Sequence, residues 1–302
     1  MKKALTLFVV ISMMGVVWAN ELVWVGEKGY QKDGVEPELA YGEGQFLFKI
    51  GYMNPDGVMP KAVWAVIDTN RDGFLGNEEK FLMELVYKPQ KDDEQKIFIY
   101  EYPISFSYRS DSRNDFVYFF AAEFESQTVT TPLRSGPKLK PKLGFTLSNS
   151  FWNAGGELRP GEVVTMESND RIIVKNTGDA AEKFSIMIEK EDIWPEGWKH
   201  AQHPEEIGPN RYALSGLFTS SNYLLVEDES FNELGNEDII TTSPKEAVGN
   251  TYGVKGYSAG ELLLPNQDMA LWLQLILPTS SFGKYALESH DITVKLTCSG
   301  VD

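Results

Sequence analysis

Short runs in which apolar and polar residues alternate recur along this 302-residue chain. A period of two places successive side chains on opposite faces of a β-strand, and Asn, Gly, Pro and Asp bound the runs as turn residues do. Signals for helices are scarce. The predicted strands are 46–52, 62–67, 80–86, 96–102, 116–124, 162–166, 171–175, 183–188, 212–218, 269–277 and 291–297. This pattern predicts an all-β fold of sandwiches and not of βαβ units.

The composition is that of a folded protein, with 42% hydrophobic and 24% charged residues. Lys and Arg total 28 against 44 Asp and Glu, which gives a net charge of −16. Such a surface repels phosphate backbones, so we expect no nucleic-acid partner.

The amino terminus has the layout of a secretory signal. Met1-Lys2-Lys3 precedes an uncharged apolar run, 4–17, and Ala19 is a small residue at the predicted cleavage point. The prediction is a signal peptide over 1–19 and a mature chain from Asn20, in which the net charge falls from −16 to −18 because two lysines leave. We therefore expect a secreted, cell-surface or periplasmic protein.

No later run is apolar over the roughly 20 residues that a membrane helix needs. The longest candidate, 269–277, is interrupted by Gln274. We expect no transmembrane helix. The single cysteine, Cys298, has no partner for a disulfide within the chain and is interpreted as a small buried residue that ends the last strand.

The segment 126–142 differs from the rest of this acidic chain because it is basic and rich in proline. Pro132, Pro137 and Pro141 lie among four basic residues, with no acid between residues 126 and 142. We interpret 132–142 as a stiff, solvated linker. A contact for an anionic surface or for the other domain is the alternative. The linker separates two predicted domains, 20–131 and 143–302.

The segment 68–79 satisfies every fixed position of the twelve-residue calcium-loop pattern. Its predicted ligands are the side chains of Asp68, Asn70, Asp72 and Glu79 and the carbonyl oxygen of Phe74. Gly73 allows the sharp turn that brings alternate positions together. Hard oxygen ligands suit Ca²⁺, so the predicted cofactor is Ca²⁺.

This segment resembles the loops of EF-hand and dockerin-type proteins, but its flanks differ from theirs. The runs 62–67 and 80–86 are predicted strands, whereas an EF-hand loop lies between helices. We therefore expect a structural clamp on a β-hairpin and not the opening motion of a calcium sensor. The alternative is an acidic hairpin turn that holds no ion.

Residues around the loop carry a wider similarity. They are Trp24-Val25-Gly26, Gly29-Tyr30, 33–37, Phe46-Leu47-Phe48, 52–57, Pro60, Val66-Ile67-Asp68 and Tyr118-Phe119-Phe120. This set resembles the immunoglobulin-like modules of exported prokaryotic surface proteins over about residues 22–131. The second half, over roughly 143–298, resembles another exported β-sandwich type through Pro160-Gly161, 174–178 and Leu271-Trp272-Leu273. Both resemblances imply architecture and export, not chemistry.

Two other function classes have weaker signals. Gly256-Tyr257-Ser258-Ala259-Gly260 matches the nucleophile elbow of serine hydrolases, with Asp268 and His290 in the hydrolase order, but Pro265 leaves no room for the helix that must follow. Trp152, Trp194 and Trp198 lie near loop signals and would suit a carbohydrate-binding module if they formed an exposed platform.

Two polar groups are weaker still as sites. The pair His200 and His203 is interpreted as loop histidines, because Pro204 argues against a helix that would present both to a metal. A second acidic group, from Asp228 to Asp238, is interpreted as a solvated loop.

The sequence therefore predicts a non-catalytic exported calcium-binding protein of two tandem immunoglobulin-like β-sandwich domains. Its expected role is structural or interactive, at the cell surface or in an extracellular matrix, as in a fibre or a surface layer. The expected partners are other extracellular proteins or further copies of the chain. A glycan is the partner under the alternative of a carbohydrate-binding module, and a serine hydrolase is a remote alternative.

Overall fold

The computed structural model describes residues 20–90, 93, 96–191, 198–233, 235–280 and 290–301. The predicted signal peptide, 1–19, and Trp194 lie outside these residues. By its contacts the chain divides into two compact units. The first comprises the described residues up to Ser107 together with Ser112–Lys140, and the second comprises Tyr108–Asp111 and the residues from Pro141 onward.

The fold is all-β, as the alternation predicts. The described part of the chain contains no α-helix and only short 3₁₀ turns, at Asn77–Glu79, Pro204–Glu206 and Asp228–Ser230. The strands of the first unit are β1 (Glu21–Val23), β2 (Val35–Glu36), β3 (Leu39–Tyr41), β4 (Glu43–Met53), β5 (Ala62–Ile67), β6 (Lys80–Leu82), β7 (Glu84–Tyr87), β8 (Ile97–Ser107), β9 (Asp115–Glu123), β10 (Thr128–Thr130) and β11 (Arg134–Lys140).

These strands form two sheets. One has the order β1-β4-β8-β7, with β2 also paired to β4, and the other has the order β3-β11-β9-β5-β6, with β10 also paired to β9. The alternating aromatic residues of β4 and β8 meet those of β9 from the other sheet. Phe48 packs edge-on against Tyr118 at 5.0 Å between ring centroids, and Phe106 stacks on Phe116 at 3.9 Å. This aromatic layer is the core of the first unit.

The strands of the second unit are β12 (Phe145–Leu147), β13 (Val163–Thr165), β14 (Ile172–Asn176), β15 (Glu182–Glu191), β16 (Lys199–His200), β17 (Arg211–Ser220), β18 (Lys245–Glu246), β19 (Asp268–Ile276) and β20 (Ile292–Gly300). One sheet has the order β12-β14-β19-β17-β16, with β13 also paired to β19, and a smaller one has the order β18-β15-β20.

The strands β17 and β19 are buried on both faces. One face of the pair contributes Phe218 and Leu271 to the large core that also contains Phe184 of β15. The other face contributes Leu217 and Trp272 to a second cluster with Val226 and Phe231, which lie in the segment after β17. That segment therefore covers the sheet as a further layer, and this explains why these two strands read as nearly continuous apolar runs.

The prediction of a linker over 132–142 is wrong for the residues of β11. This strand pairs antiparallel with β9 and parallel with β3, so it lies inside the second sheet of the first unit. Leu139 is buried between the exposed Lys138 and Lys140, and the register shifts between Ser135 and Lys138, around Pro137. A bulge tolerates a proline that cannot donate to the sheet, which is why a Pro- and Lys-rich run can be a strand.

The run 80–86, predicted as one strand, is divided between two sheets. Residues Lys80–Leu82 pair with β5, whereas Glu84–Tyr87 pair with β8 in the other sheet. Met83 lies at the crossing and is buried, and its N–H donates to the carbonyl oxygen of Val63 at 2.9 Å.

Candidate functional site

The loop 68–79 closes a β-hairpin in the first unit. Asp68 directly follows β5, Glu79 directly precedes β6, and the two strands pair antiparallel with Val66 opposite Lys80. The prediction that strands flank the loop is therefore confirmed. The pairing holds the first and the twelfth loop residues at neighbouring strand ends, so their side chains lie close to each other.

Asp68 is buried, with 2% of its surface exposed. Its Oδ2 accepts a hydrogen bond from the N–H of Gly73 at 2.8 Å, and Gly73 has φ of +85°, a conformation that favours glycine. Its Oδ1 is also buried but meets no hydrogen-bond donor. An unpaired oxygen on a buried acid is costly, so this atom is the strongest indication of a missing partner in the loop.

Glu79 is buried as well, with 4% of its surface exposed. Its Oε1 accepts from the N–H groups of Thr69 at 2.9 Å and Asn70 at 3.4 Å, and its Oε2 accepts from the N–H of Gly76 at 2.7 Å. The carboxylate therefore ties the start of the loop to its end. The sequence predicts Glu79 as a ligand, and the structure adds this organising role, which a spacing pattern does not reveal.

Asn70, Asp72 and Phe74 lie on the exposed side of the loop. Asn70 Oδ1 accepts from the N–H of Asp72 at 2.9 Å, and Asn70 Nδ2 donates to Asp72 Oδ2 at 3.1 Å. Asp72 Oδ1 accepts from the N–H of Phe74 at 2.7 Å, while the Phe74 ring is 78% exposed. These hydrogen bonds between side chains and backbone N–H groups stabilise the turns of the loop.

Arg71 is a loop residue whose role the sequence analysis missed. It has φ of +66° and is only 9% exposed. Its guanidinium lies over the Phe116 ring at 5.0 Å and donates to Asn114 Oδ1 at 3.1 Å and to the carbonyl oxygen of Ser107. Arg71 therefore fastens the loop to β9 and to the end of β8. No signal in the pattern marks it, since this position is variable in calcium loops.

The candidate metal-ligand atoms of the loop are all oxygens, which suit a hard cation such as Ca²⁺. Within the described residues, however, no three His, Cys, Asp or Glu side chains are grouped as a metal site. The three carboxylates of the predicted ligand set, those of Asp68, Asp72 and Glu79, are therefore not gathered into one cluster in this structure. The unpaired Asp68 Oδ1 fits a cation, and Ca²⁺ binding itself stays a prediction.

The residues of the hydrolase alternative are each engaged elsewhere. Ser258 is fully buried and its hydroxyl donates to the carbonyl oxygen of Tyr252 at 3.0 Å. Asp268 accepts from the Ser221 hydroxyl at 2.6 Å, and the His290 ring stacks on Trp198 at 4.4 Å. Gly256–Gly260 is followed by turns and isolated bridges and not by the helix of a nucleophile elbow. Among the described residues, none of these contacts joins Ser258 to Asp268 or to His290.

The structure also describes two tryptophans and two histidines that the sequence analysis singled out in the second unit. Trp152 and Trp198 are partly buried and pack against the large core, which does not favour a sugar-binding platform of the two. His200 lies in β16, whereas His203 is exposed with Nδ1 at 2.7 Å from Asn236 Nδ2. The predicted solvated loop from Asp228 to Asp238 is wrong at its last residue, because Asp238 is buried.

Comparison of the chain with family models, curated proteins and solved structures finds no match. Across the part of the chain that the structure describes, no helix is long and apolar enough to span a membrane. What the loop 68–79 binds is therefore inferred from its own geometry.

Proposed function

We propose that this chain is an exported, non-catalytic, calcium-binding structural or interaction protein of the cell surface or extracellular matrix. In this proposal its two units are immunoglobulin-like β-sandwich domains in tandem, and the loop 68–79 of the first holds Ca²⁺. The all-β fold and the aromatic layer between the two sheets of the first unit support the architecture.

The observation that carries the calcium proposal is Asp68. Its carboxylate is buried, one oxygen is held by Gly73, and the other has no partner although it lies at the first position of a complete ligand pattern. A bound cation would offset the cost of this buried charge. The ion would lie between the ends of β5 and β6 and would clamp the hairpin, since both ends contribute ligands.

An interaction role has support at the edge of the first sheet. The strand β7 pairs on one side with β8, and Leu85, Val86 and Tyr87 are all more than a third exposed. Apolar residues on an edge strand favour pairing with another chain. We propose other extracellular proteins or a second copy of this chain as the partners.

The calcium proposal predicts opposite effects of Asp68→Asn with and without the ion. Without Ca²⁺ the variant should be as stable as the wild type or more stable, because it loses a buried charge. With Ca²⁺ at a hundredfold excess over Kd, the free energy of unfolding of the wild type should rise by about 2.7 kcal/mol, and that of the variant should rise little. Thermal melting of the mature protein in Ca²⁺ and in chelator measures both effects.

Glu78→Gln is the matched control, because Glu78 is exposed in the same loop at a position that is not a predicted ligand. It should keep the full response to Ca²⁺. Equal melting temperatures of the wild type in millimolar Ca²⁺ and in chelator, with no heat of binding in calorimetry, would remove the ion from the proposal.

A further inference from the structure

The strand β20 of the second unit has a long edge that no described strand covers. All nine of its residues pair with β15, and in the described sheets its other side has no neighbour. The other edge strands of these sheets have four residues or fewer. Proteins ordinarily keep edge strands short, charged or covered, because their unpaired N–H and C=O groups attract a further strand. The edge of β20 is therefore the place where a further strand can pair over the greatest length.

The composition of β20 does not oppose such pairing. Between residues 292 and 300 the sequence contains no Asp, Glu or Pro, and Lys295 is the only charged residue. The ammonium of Lys295 lies 2.9 Å from Glu189 Oε1 on the neighbouring strand β15. In a chain with 44 acidic residues, a strand without acids can approach a copy of itself without repulsion between carboxylates.

The backbone of β20 directs alternate hydrogen-bonding groups to the open edge. Phe184 of β15 lies opposite Cys298, but its N–H donates to the carbonyl oxygen of Gly260 at 2.8 Å, on the side away from β20. Opposite residues of an antiparallel pair that exchange no hydrogen bonds both turn their N–H and C=O groups outward. The groups of Cys298 therefore face the open edge, and the period of two places those of Val294 and Leu296 there as well.

The side chains of the same three residues form an apolar row that is only partly covered. Val294, Leu296 and Cys298 pack against the large core of the second unit, but each stays partly exposed. By contrast, Phe184 and Ile186 of the interior strand β15 are completely buried. The difference arises because β20 has a described neighbour on one side only. A strand added at the open edge would cover this row with its own side chains.

We propose that β20 pairs antiparallel with β20 of a second copy of this chain, across a twofold axis. This inference rests on the interaction role proposed above, for which it names the partner, but it involves neither the loop 68–79 nor β7. Placing Leu296 opposite Leu296 of the other copy aligns all nine residues and sets Val294 opposite Cys298. Lys295 then lies opposite Thr297, whereas a pairing centred on Lys295 would bring two ammonium groups together. Overlap and charge therefore favour the same register.

Substitutions at Thr297 test this register, because Thr297 is exposed on the solvent face of β20. Sedimentation equilibrium of the full mature chain, with a reductant present to keep Cys298 a thiol, measures the Kd of the dimer. We expect a Kd on the order of 100 µM, because the contact is small. Thr297→Glu should lower this Kd about fivefold, although it makes the chain more acidic, because each carboxylate lies opposite a Lys295. Thr297→Lys should raise it by about the same factor.

Thr293→Lys is the matched control, because Thr293 is exposed on the same face of β20 but lies opposite Ser299 in this register. It adds the same charge as Thr297→Lys and should leave the Kd within about twofold of the wild-type value. Circular dichroism checks that each variant is folded. Thr297→Glu and Thr297→Lys have opposite expected effects, so either one tests the register if the other does not fold.

The proposal is overturned if the wild type stays monomeric at about ten times the expected Kd. It is equally overturned if Thr297→Glu weakens the dimer, or if neither substitution at Thr297 changes the Kd. A dimer that is weakened by Val86→Lys, at an exposed position of β7, and not by Thr297→Lys would support the interaction role at β7 and exclude pairing through β20. Failure of the two proposals is thus distinguishable.

Discussion

Glu182 begins β15 and is completely buried, although it carries a carboxyl group. One of its oxygens accepts from the N–H of Gly144, and the Cys298 thiol lies beside it. Burial raises the pKa of Glu182, and the bonds from Gly144 and Cys298 act in the opposite direction without cancelling the rise. Burial and Glu182 together raise the pKa of Cys298 to about 11, so this thiol is unreactive at neutral pH.

We predict that Glu182 makes the protein less stable as pH rises. The folded state holds this proton more tightly than the unfolded state, whose pKa is near the ordinary value of 4.5. The contribution is therefore complete below pH 4.5 and is lost as pH rises through the raised folded pKa. Glu182→Gln should flatten this fall, because an amide does not titrate, and its oxygen can still accept from the N–H of Gly144. Urea unfolding across this pH range measures the free energy of unfolding of both proteins.

Glu189→Gln is the control for this prediction, since Glu189 is an exposed acid on the same strand. It should keep the pH dependence of the wild type. Parallel pH profiles of the wild type and Glu182→Gln would show that the Glu182 carboxyl has no perturbed pKa.

At the scale of residues, spacing predicts which positions could be ligands but not what surrounds them. The positions of Asp68 and Glu79 are predictable because a calcium loop needs oxygens at fixed intervals. The anchoring of Arg71 on Phe116 and the burial of Asp238 depend on strands that are distant in sequence. A local pattern contains no information about those strands.

At the scale of elements, the difference in burial between β19 and β20 predicts how well each strand is protected from amide hydrogen exchange. Residues of β19 from Met269 to Leu275 are all buried, whereas β20 alternates between exposed and half-buried residues and lies at the edge of its sheet. Amide hydrogens of β17 and β19 should exchange only through global unfolding, and alternate amides of β20 should exchange through local fluctuations. Native-state hydrogen exchange followed by NMR measures this. Uniform protection of β20 at the level of β19 would contradict it.

The strand β11 shows where element prediction from composition fails. Prolines and lysines are typical of linkers, and they obscured the three buried positions of this strand, Gly136, Pro137 and Leu139. Alternation of Lys138, Leu139 and Lys140 was the available signal. By contrast, long alternating runs such as β4 and β9 are predictable, because their pattern repeats over many residues.

At the scale of the whole molecule, the position of β11 predicts where the chain can be divided. A fragment 20–142 should fold cooperatively, because it contains every strand of the first unit. A fragment 20–131, which ends at the boundary that composition suggests, lacks the strand that joins β3 to β9 and should not fold. Circular dichroism and thermal melting of the two fragments test this. Cooperative melting of the shorter fragment would show that β11 is dispensable.

The pairing of β3 with β11 also affects how fast the chain folds. Leu39 is the neighbour of Lys138 in this parallel pair, and Glu182 is likewise opposite Gly300 in the second unit. Contacts between residues so far apart in sequence form only after a long loop closes, which makes the search for the native state slow, in the range of milliseconds to seconds. As the chain is synthesised from its amino terminus, β3 must wait for about a hundred further residues, and its apolar neighbours stay open to aggregation during that interval.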